Sequence, residues 1–332
     1  MKYREPLAPA IYRALCDRRF HSGTALARQC GVSRAGIWKA VSRLRALGVR
    51  VEAVANRGYR LPAASELLSA EGIIGWLPRQ ARARLRDARC VWSTGSTNAD
   101  LLQRPPLPPG RFDFLTAEYQ SAGRGRRTRR WHAAPGGAVC LSIGWSFAVL
   151  PAGIGALSLV VGVCTLRALA GLGYRGAALK WPNDIVVGAG KLGGILIELR
   201  AEAGGPAQVV IGIGLNVALG EPVTRLVQAS GTHAADLLAL EGGGDRQRNR
   251  LAAALIATCV AGLEQFEREG LAPFLPEWRA ADALAGKPVL VDTDGAAVAG
   301  HARGIDIGGA LCVQTRDGLR RFISGDVTVR AA

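Results

Sequence analysis

Residues 117–132 read AEYQSAGRGRRTRRWH, and five of the last ten are arginine. Arginine forks match the geometry of phosphate oxygens, and the aromatic exit residue Trp131 can stack on a base. Glycines alternate with the first arginines, so this backbone should be mobile until an anion orders it. The anion is open at this point: a nucleic-acid backbone, a small phosphate ligand and plain solvation each fit five arginines. Residues 180–199, KWPNDIVVGAGKLGGILIEL, add one lysine, Lys191, close to Asn183 and Asp184. Residues 94–102, TGSTNADLL, place Ser96, Thr97 and Asn98 before an apolar pair, where they either cap a helix or hold a small polar head group. In VVIGIGLNV, residues 209–217, the glycines leave one strand face bare and Asn216 follows it, as a ligand contact or as a buried structural amide.

Two nucleotide motifs can be tested against these stretches. Gly188, Gly190 and Gly193 satisfy G-x-G-x-x-G, but GILIEL follows, a β-branched strand pattern where a dinucleotide site needs a helix. Gly190-Lys191 resembles the end of a phosphate-binding P-loop, yet Ile185 stands where its first glycine belongs and Leu192 where Ser or Thr belongs. The stretch is better read as a hairpin, with strands over 183–187 and 192–199 and the turn at 188–190. The flanking pattern supplies the frame. FLTAEYQ is strand-like and leads into the arginine loop, which exits into a strand over 138–149. A buried helix follows over 154–172. The uncharged run from 147 to 166 is as long as a membrane span, but Pro151, Gly153 and Gly155 interrupt it, so no span is expected.

The chain has 332 residues and a formal charge of +16, of which 13 Lys/Arg against 4 Asp/Glu fall in the first 66 residues. That asymmetry marks an appended basic module with a polyanionic partner. SGTALARQCG predicts a short helix after Ser22, stopped by Gly31. SRAGIWKAVSRLRALG predicts a second helix with Ser33 as N-cap, Ile37, Val41, Leu44 and Leu47 as its buried stripe, and Gly48 as its stop. VRVEAVANRGYRLP then reads as a hairpin turning at Asn56-Arg57-Gly58. Helix, turn, helix and wing resemble winged helix-turn-helix DNA-binding domains, with a protein-binding helix bundle as the alternative. In the DNA reading Ser33, Arg34, Lys39 and Arg43 face groove and phosphates, and Arg57 touches the flanking backbone. Seven cysteines without a C-x-x-C pair and four scattered histidines predict reduced thiols and no structural zinc. The N-terminus lacks an apolar signal region, so a cytoplasmic location is expected.

STN, EYQ, GRGRRTRRW, KWPND, KLGGILIE and GIGLNV occur in this order behind the winged helix. The ordered set spans nearly the whole chain, and it resembles the bacterial family of bifunctional biotin–protein ligases and biotin-operon repressors. The resemblance implies a multidomain α+β chain: a winged helix-turn-helix over 1–63, a mixed-sheet α+β catalytic domain similar to class II aminoacyl-tRNA synthetases over 64–283, and a small SH3-like β-barrel over 284–332. The last segment shows short alternating strands separated by Thr-Asp-Gly, Gly-Gly and Asp-Gly on its own account.

Family membership implies activation of biotin with ATP and Mg2+ to biotinyl-5′-AMP, then transfer to one lysine of biotin carboxyl carrier protein. The adenylate is also expected to act as corepressor, favouring a homodimer that binds operator DNA. By resemblance, Lys191 bridges the biotin carboxylate and α-phosphate, and Arg124 and Arg126 close over biotin and its adenylate. Ser96, Thr97, Asn98 and Gln120 bind the ureido ring and its surroundings, and Gly123, Gly125 and Gly194 permit close backbone approach. Trp131, Asn183 and Asn216 lie on the nucleotide side. Asp184 assists the incoming amine, or serves structure or the metal. No protein metal site is expected, Mg2+ arriving with ATP. Alternatives are a lipoate-type ligase and a regulator that has lost one of its two activities. The chain departs from the family pattern at Thr128, where a loop glycine is frequent and whose side chain should stiffen the loop, at His132, and at Gly95.

Overall fold

The structure, a computed structural model, describes residues 6–62, 66–127, 129–201, 206–229, 231, 233–242, 247–293, 296–323 and 327–331. Thr128 and the expected domain boundary at 63/64 lie outside the described residues.

The basic module consists of α1 (Leu7–Leu15), α2 (Gly23–Cys30), α3 (Arg34–Ala46) and the wing strands β1 (Glu52–Val54) and β2 (Gly58–Arg60). Local chemistry sets its boundaries. The Ser22 hydroxyl accepts the Ala25 N–H and Gly31 ends α2 in the left-handed region at φ 63°. Ser33 caps α3 by accepting from Gly36 N. The α3 stripe is Ile37, Ala40, Val41 and Leu44, buried against α1 and α2; Leu47 sits at the helix end and is only half-buried. Arg45 donates twice to the Val51 carbonyl and ties the helix to the wing.

The central domain is a seven-stranded mixed sheet backed by helices. Its elements in chain order are α4 (Ala70–Trp76), α5 (Arg79–Arg84), β3 (Leu85–Thr94), α6 (Thr97–Leu102), β4 (Phe112–Gln120), β5 (Ala138–Phe147), α7 (Leu157–Gly171), β6 (Ala178–Lys180), β7 (Asp184–Val187), β8 (Gly190–Ala201), β9 (Ala207–Asn216), α8 (Glu221–Ala229), α9 (Arg248–Glu269) and α10 (Leu275–Ala280). The strand order is β3-β4-β5-β9-β8-β7-β6, with β3 and β4 parallel and every other pair antiparallel. Helix α7 is apolar enough to cross a membrane by composition, but its window is 67% buried because it packs between the sheet and α9. The chain ends in an antiparallel sheet of β10 (Pro288–Thr293), β11 (Ala296–Ile305), β12 (Leu311–Thr315), β13 (Gly318–Phe322) and β14 (Val327–Ala331), in the order β13-β12-β11-β10-β14.

One fully buried ion pair joins remote parts of the chain. Arg248 at the start of α9 donates to both Glu118 oxygens on β4, at 3.2 and 2.8 Å, and to the carbonyls of Ala138 and Glu66. Glu118 also accepts from Leu68 N and Gly136 N, so every charge has hydrogen-bonded compensation. Burial alone would lower the Arg248 pKa; the charge and hydrogen bonds of Glu118 outweigh it and hold the group above its ordinary value. The pair fixes the segment that leaves the winged helix to the strand that carries Gln120.

Candidate active site

The open side of the sheet holds a cavity of about 1070 Å³ whose lining brings together residues from four separate sequence stretches. Ser96, Thr97, Asn98, Gln120, Arg124, Gly125, Arg126, Trp131, Asn183, Asp184, Lys191, Gly194 and Asn216 all line it. Of the expected ligase-site residues, Gly123 alone is not on the lining. A Cβ there would lie 2.6 Å from the Trp131 carbonyl, so this glycine serves the fold of the loop.

The first wall is a hydrogen-bond cluster at the start of α6. Ser96 is the N-cap of the helix, as its position before Leu101-Leu102 suggested. The Gln120 side-chain oxygen accepts from both Thr97 N (2.8 Å) and Thr97 Oγ1 (3.1 Å). Asn98 is 4% exposed and saturated: its amide donates to Glu198 (2.8 Å) and the Leu196 carbonyl, while Ser142 Oγ lies 2.5 Å from its oxygen. Ser142 also lies 2.7 Å from Thr97 Oγ1. Ser142 and Glu198 were not singled out from the sequence. A serine in the mostly apolar strand AVCLSIGWSF is the signal that marks the first, though Ser146 carries the same sign; the lone charge in the apolar run GGILIEL marks Glu198.

The second wall is the arginine loop. It folds as a small hairpin: Arg124 and Arg130 form a β-bridge, Gly125 N donates to Arg129 O, and Trp131 N donates to Gly123 O. The sequence alone suggested a chain without internal order; backbone pairing across the turn supplies the order. Arg124 reaches 3.1 Å to Glu198, the same carboxylate that holds Asn98, so the loop base is tied to the floor of the first wall. Arg126 points to Asn183 Oδ1 at 3.5 Å, and Asn183 in turn donates to the Ile195 carbonyl at 2.7 Å. Arg127, Arg129 and Arg130 are exposed at the mouth of the cavity.

The glycines of GIGLN face side chains. A Cβ at Gly212 would lie 2.5 Å from the Asn98 oxygen, and one at Gly214 the same distance from the Trp131 ring. The strand face that looked bare is therefore occupied by one amide and one indole from the two walls. Cys140 lies on the neighbouring strand, and burial pushes its thiol up to about 11 despite the adjacent Trp131 and Gln120 groups.

Between the walls stands Lys191. Its ammonium is 2.6 Å from Asp184 Oδ1, and both side chains keep about a quarter of their surface open to the cavity, at 27% and 25%. The β7–β8 hairpin positions them, Asp184 opposite Gly194 and Val186 opposite Lys191 across a register shift. Gly194 lies close beneath the pair: a Cβ there would stand 3.3 Å from Lys191 Cε, so the lysine side chain would have to give by a few tenths of an ångström. The backbone of Lys191 is pinned to the strap that follows α8, with N donating to His233 O and O accepting from Ala235 N. Asn216 completes the pinning by donating to Lys191 O and Ala235 O, so its amide orders this wall. Trp181, preceding the cis Trp181–Pro182 bond, donates to Gly309 O and links the cavity to the C-terminal sheet. Among the described residues no group of three or more His, Cys, Asp or Glu side chains is placed to hold a metal ion.

On the winged helix, Arg34, Lys39 and Arg43 are exposed along α3, and Arg57 is exposed at the wing turn, where Asn56 adopts φ 61°. Ser33 spends its hydroxyl on the helix cap. Trp38, between Arg34 and Lys39, is 61% exposed.

Three family models match consecutive parts of the chain: an HTH domain over residues 10–60, the biotin/lipoate A/B protein ligase family over 91–216, and the biotin protein ligase C-terminal domain over 285–330. The bifunctional ligase/repressor BirA of Escherichia coli is 39% identical over 319 residues, covering 96% of this chain and 95% of its own. The chain belongs to the BirA family of bifunctional ligase/repressors. Another BirA, from Bacillus subtilis, is 28% identical over 93% of both chains, and the biotin–[acetyl-CoA-carboxylase] ligase of Mycobacterium tuberculosis is 37% identical over 73% of this chain and 88% of its own. The fold likeness extends to the Aquifex aeolicus biotin protein ligase in complex with biotin and ATP, at TM-score 0.59 and 23% identity over 75% of this chain and 99% of that one. The BirA-type assignment accounts for the whole order of elements, the winged helix included.

Proposed function

We propose that the chain is an ATP-dependent biotin–protein ligase that forms biotinyl-5′-AMP, transfers biotin to a lysine of the carrier protein of acetyl-CoA carboxylase, and represses biotin-synthesis genes through its winged helix. The observation that carries this reading is the placement of Lys191 and Asp184 between a neutral hydrogen-bonding wall and an arginine loop in one cavity.

A carboxylate and a triphosphate repel each other, so attack on the α-phosphate requires a cation between them. Lys191 supplies it. A biotin carboxylate oxygen attacks the α-phosphorus, the bond from that phosphorus to the α,β-bridging oxygen breaks, and pyrophosphate leaves with the electron pair. The Thr97–Gln120 wall holds the ureido end, and Arg126 braces the negative charge of the new acyl phosphate from the loop. Trp131 and Asn183 border the nucleotide. Mg2+ enters with the triphosphate and lowers the charge of the leaving group; no set of protein ligands is assigned to it. In the second step the carrier lysine attacks the acyl carbon, AMP departs, and Asp184, released from Lys191 as the charges rearrange, takes a proton from the amine.

The same pocket in a lipoate-type ligase would face an acid without a ureido group, and the paired Thr97 and Gln120 polar groups favour biotin. The arginine loop and Gly231 and His233 after α8 line the same cavity, so an adenylate bound there would touch both segments and favour one arrangement of them. A ligand promotes dimerisation and operator binding only through such differential contact. The reading places the protein in the cytoplasm, with its carrier partner. Incubation with ATP, Mg2+, biotin and a carrier domain should yield biotinylated carrier, detected by its increase in mass, and replacement of biotin by lipoate should leave the carrier mass unchanged. Equal modification by lipoate would move the assignment to the other branch of the matched family.

A further inference from the structure

Phe20, in the turn between α1 and α2, is half-buried but does not pack with the side chains that form the winged-helix core. Its ring is used elsewhere. The guanidinium carbon of Arg57, at the wing turn, lies 4.2 Å from the ring centroid, and that of Arg60, on β2, lies 4.6 Å from it. Arg60 is also held by Glu52 on the opposite wing strand at 2.7 Å, so it buttresses the arrangement and has little charge to spare. Among the described residues Arg57 has no such acid partner, and it remains exposed. The backbone beside Phe20 is registered on the wing: His21 N donates to Tyr59 O and Tyr59 N to His21 O, both at 2.9 Å. A side chain at Gly58 would collide with the His21 carbonyl, so the close approach depends on that glycine. The two-stranded wing is therefore clamped by one β-bridge to the segment that leads into α2, with Phe20 as the platform beside Arg57 and Arg60.

We propose that Phe20 is a positioning residue for DNA binding: its aromatic face holds the Arg57 guanidinium at the wing turn, on the winged helix that carries Arg34 and Lys39, so that Arg57 meets a phosphate without first losing its side-chain freedom. The inference rests on the reading of the winged helix as a DNA-binding module. An arginine held on an aromatic face keeps its charge and its N–H donors while its rotamers are restricted, which is the condition for a charge-assisted contact at low entropic cost.

The test uses the full chain with biotin and MgATP and a duplex selected by the wild-type chain from a random-sequence pool. Phe20→Leu keeps the apolar bulk and removes the aromatic face; it should weaken binding about two- to fivefold, the span of an exposed cation–π contact. Phe20→Tyr should restore wild-type affinity. In an Arg57→Ala background Phe20→Leu should have no further effect, and the ligase rate and thermal midpoint of Phe20→Leu should match wild type. The inference is overturned if Phe20→Leu binds as wild type, or if it weakens binding equally with Arg57 present and absent. Failure of the wild-type chain to select any duplex overturns instead the DNA-binding reading beneath it.

Discussion

Lys191 and Asp184 form an ion pair at 2.6 Å on neighbouring strands of one hairpin, and Gly194 lies against both side chains. The pair keeps the ammonium at a fixed point of the cavity before substrates arrive, which is electrostatic preorganisation. Lys191→Met removes the only cation that this hairpin presents there. It should reduce adenylate formation by about two to three decades, the cost of losing one preorganised charge donor. Asp184→Asn should leave adenylate formation the less affected step and slow transfer to the carrier by about two decades. Single-turnover measurement of the two half-reactions separates these outcomes; equal slowing of both by Asp184→Asn would reduce Asp184 to a holder of Lys191.

Arg124 and Arg126 occupy different positions despite standing two residues apart. Arg124 is tied to Glu198 at the loop base, whereas Arg126 reaches over the cavity towards Asn183. Arg126→Gly should speed the release of biotinyl-AMP about ten- to a hundredfold, since one charge-assisted contact contributes about 1.5–3 kcal/mol. Arg124→Ala should disturb the loop base together with Asn98, so it should weaken biotin binding even in the absence of ATP. Equilibrium binding of biotin alone and the dissociation rate of preformed adenylate check the two effects independently.

The glycines of GIGLN are filled by neighbouring side chains. Gly214→Ala would push a methyl group to 2.5 Å from the Trp131 ring, and the indole would have to leave its place over β9. Overpacking of this kind costs about 1–3 kcal/mol. Stability should fall by that amount in denaturant titrations, and Trp131 fluorescence should shift as the indole becomes exposed.

The Glu118–Arg248 pair has no solvent to fall back on. Glu118→Ala strands a buried guanidinium together with the N–H groups of Leu68 and Gly136. The expected destabilisation is about 3–5 kcal/mol, measured by chemical unfolding.

Asp282 predicts a pH dependence. Burial holds its carboxyl above the usual range, against the opposing pull of the Leu284 N–H and Lys287. A raised folded-state pKa means that the folded protein binds the proton more tightly than the unfolded one. Its penalty is absent below the unfolded pKa, grows as pH rises through that window, and is complete above the folded pKa. Asp282→Asn should therefore raise the thermal midpoint at neutral pH, and the gain should shrink as pH is lowered.

Local features of the chain were legible because local chemistry decides them. Ser22, Ser33 and Gly31 act as helix caps and stops, and the hairpin around Gly188 follows from turn residues between β-branched runs. The ordered motifs brought the site residues onto one list without showing how they touch. What escaped depends on long-range pairing. Asn98 meets Ser142 and Glu198 across 44 and 100 residues, and Arg248 meets Glu118 across 130. Residue type alone says that such groups need partners, and only the sheet order says which. The same limit applies to Asn216, read from the sequence as a ligand contact or a buried structural amide: it lines the cavity and also donates to the carbonyls of Lys191 and Ala235.

The central claim is that this cavity joins biotin to the α-phosphate of ATP. Exchange of labelled pyrophosphate into ATP by the purified chain measures that step in isolation from carrier and DNA. The account predicts exchange that requires biotin, is not supported by lipoate, and is lost in Lys191→Met. No exchange by the wild-type chain, or exchange of equal rate without biotin, would contradict it.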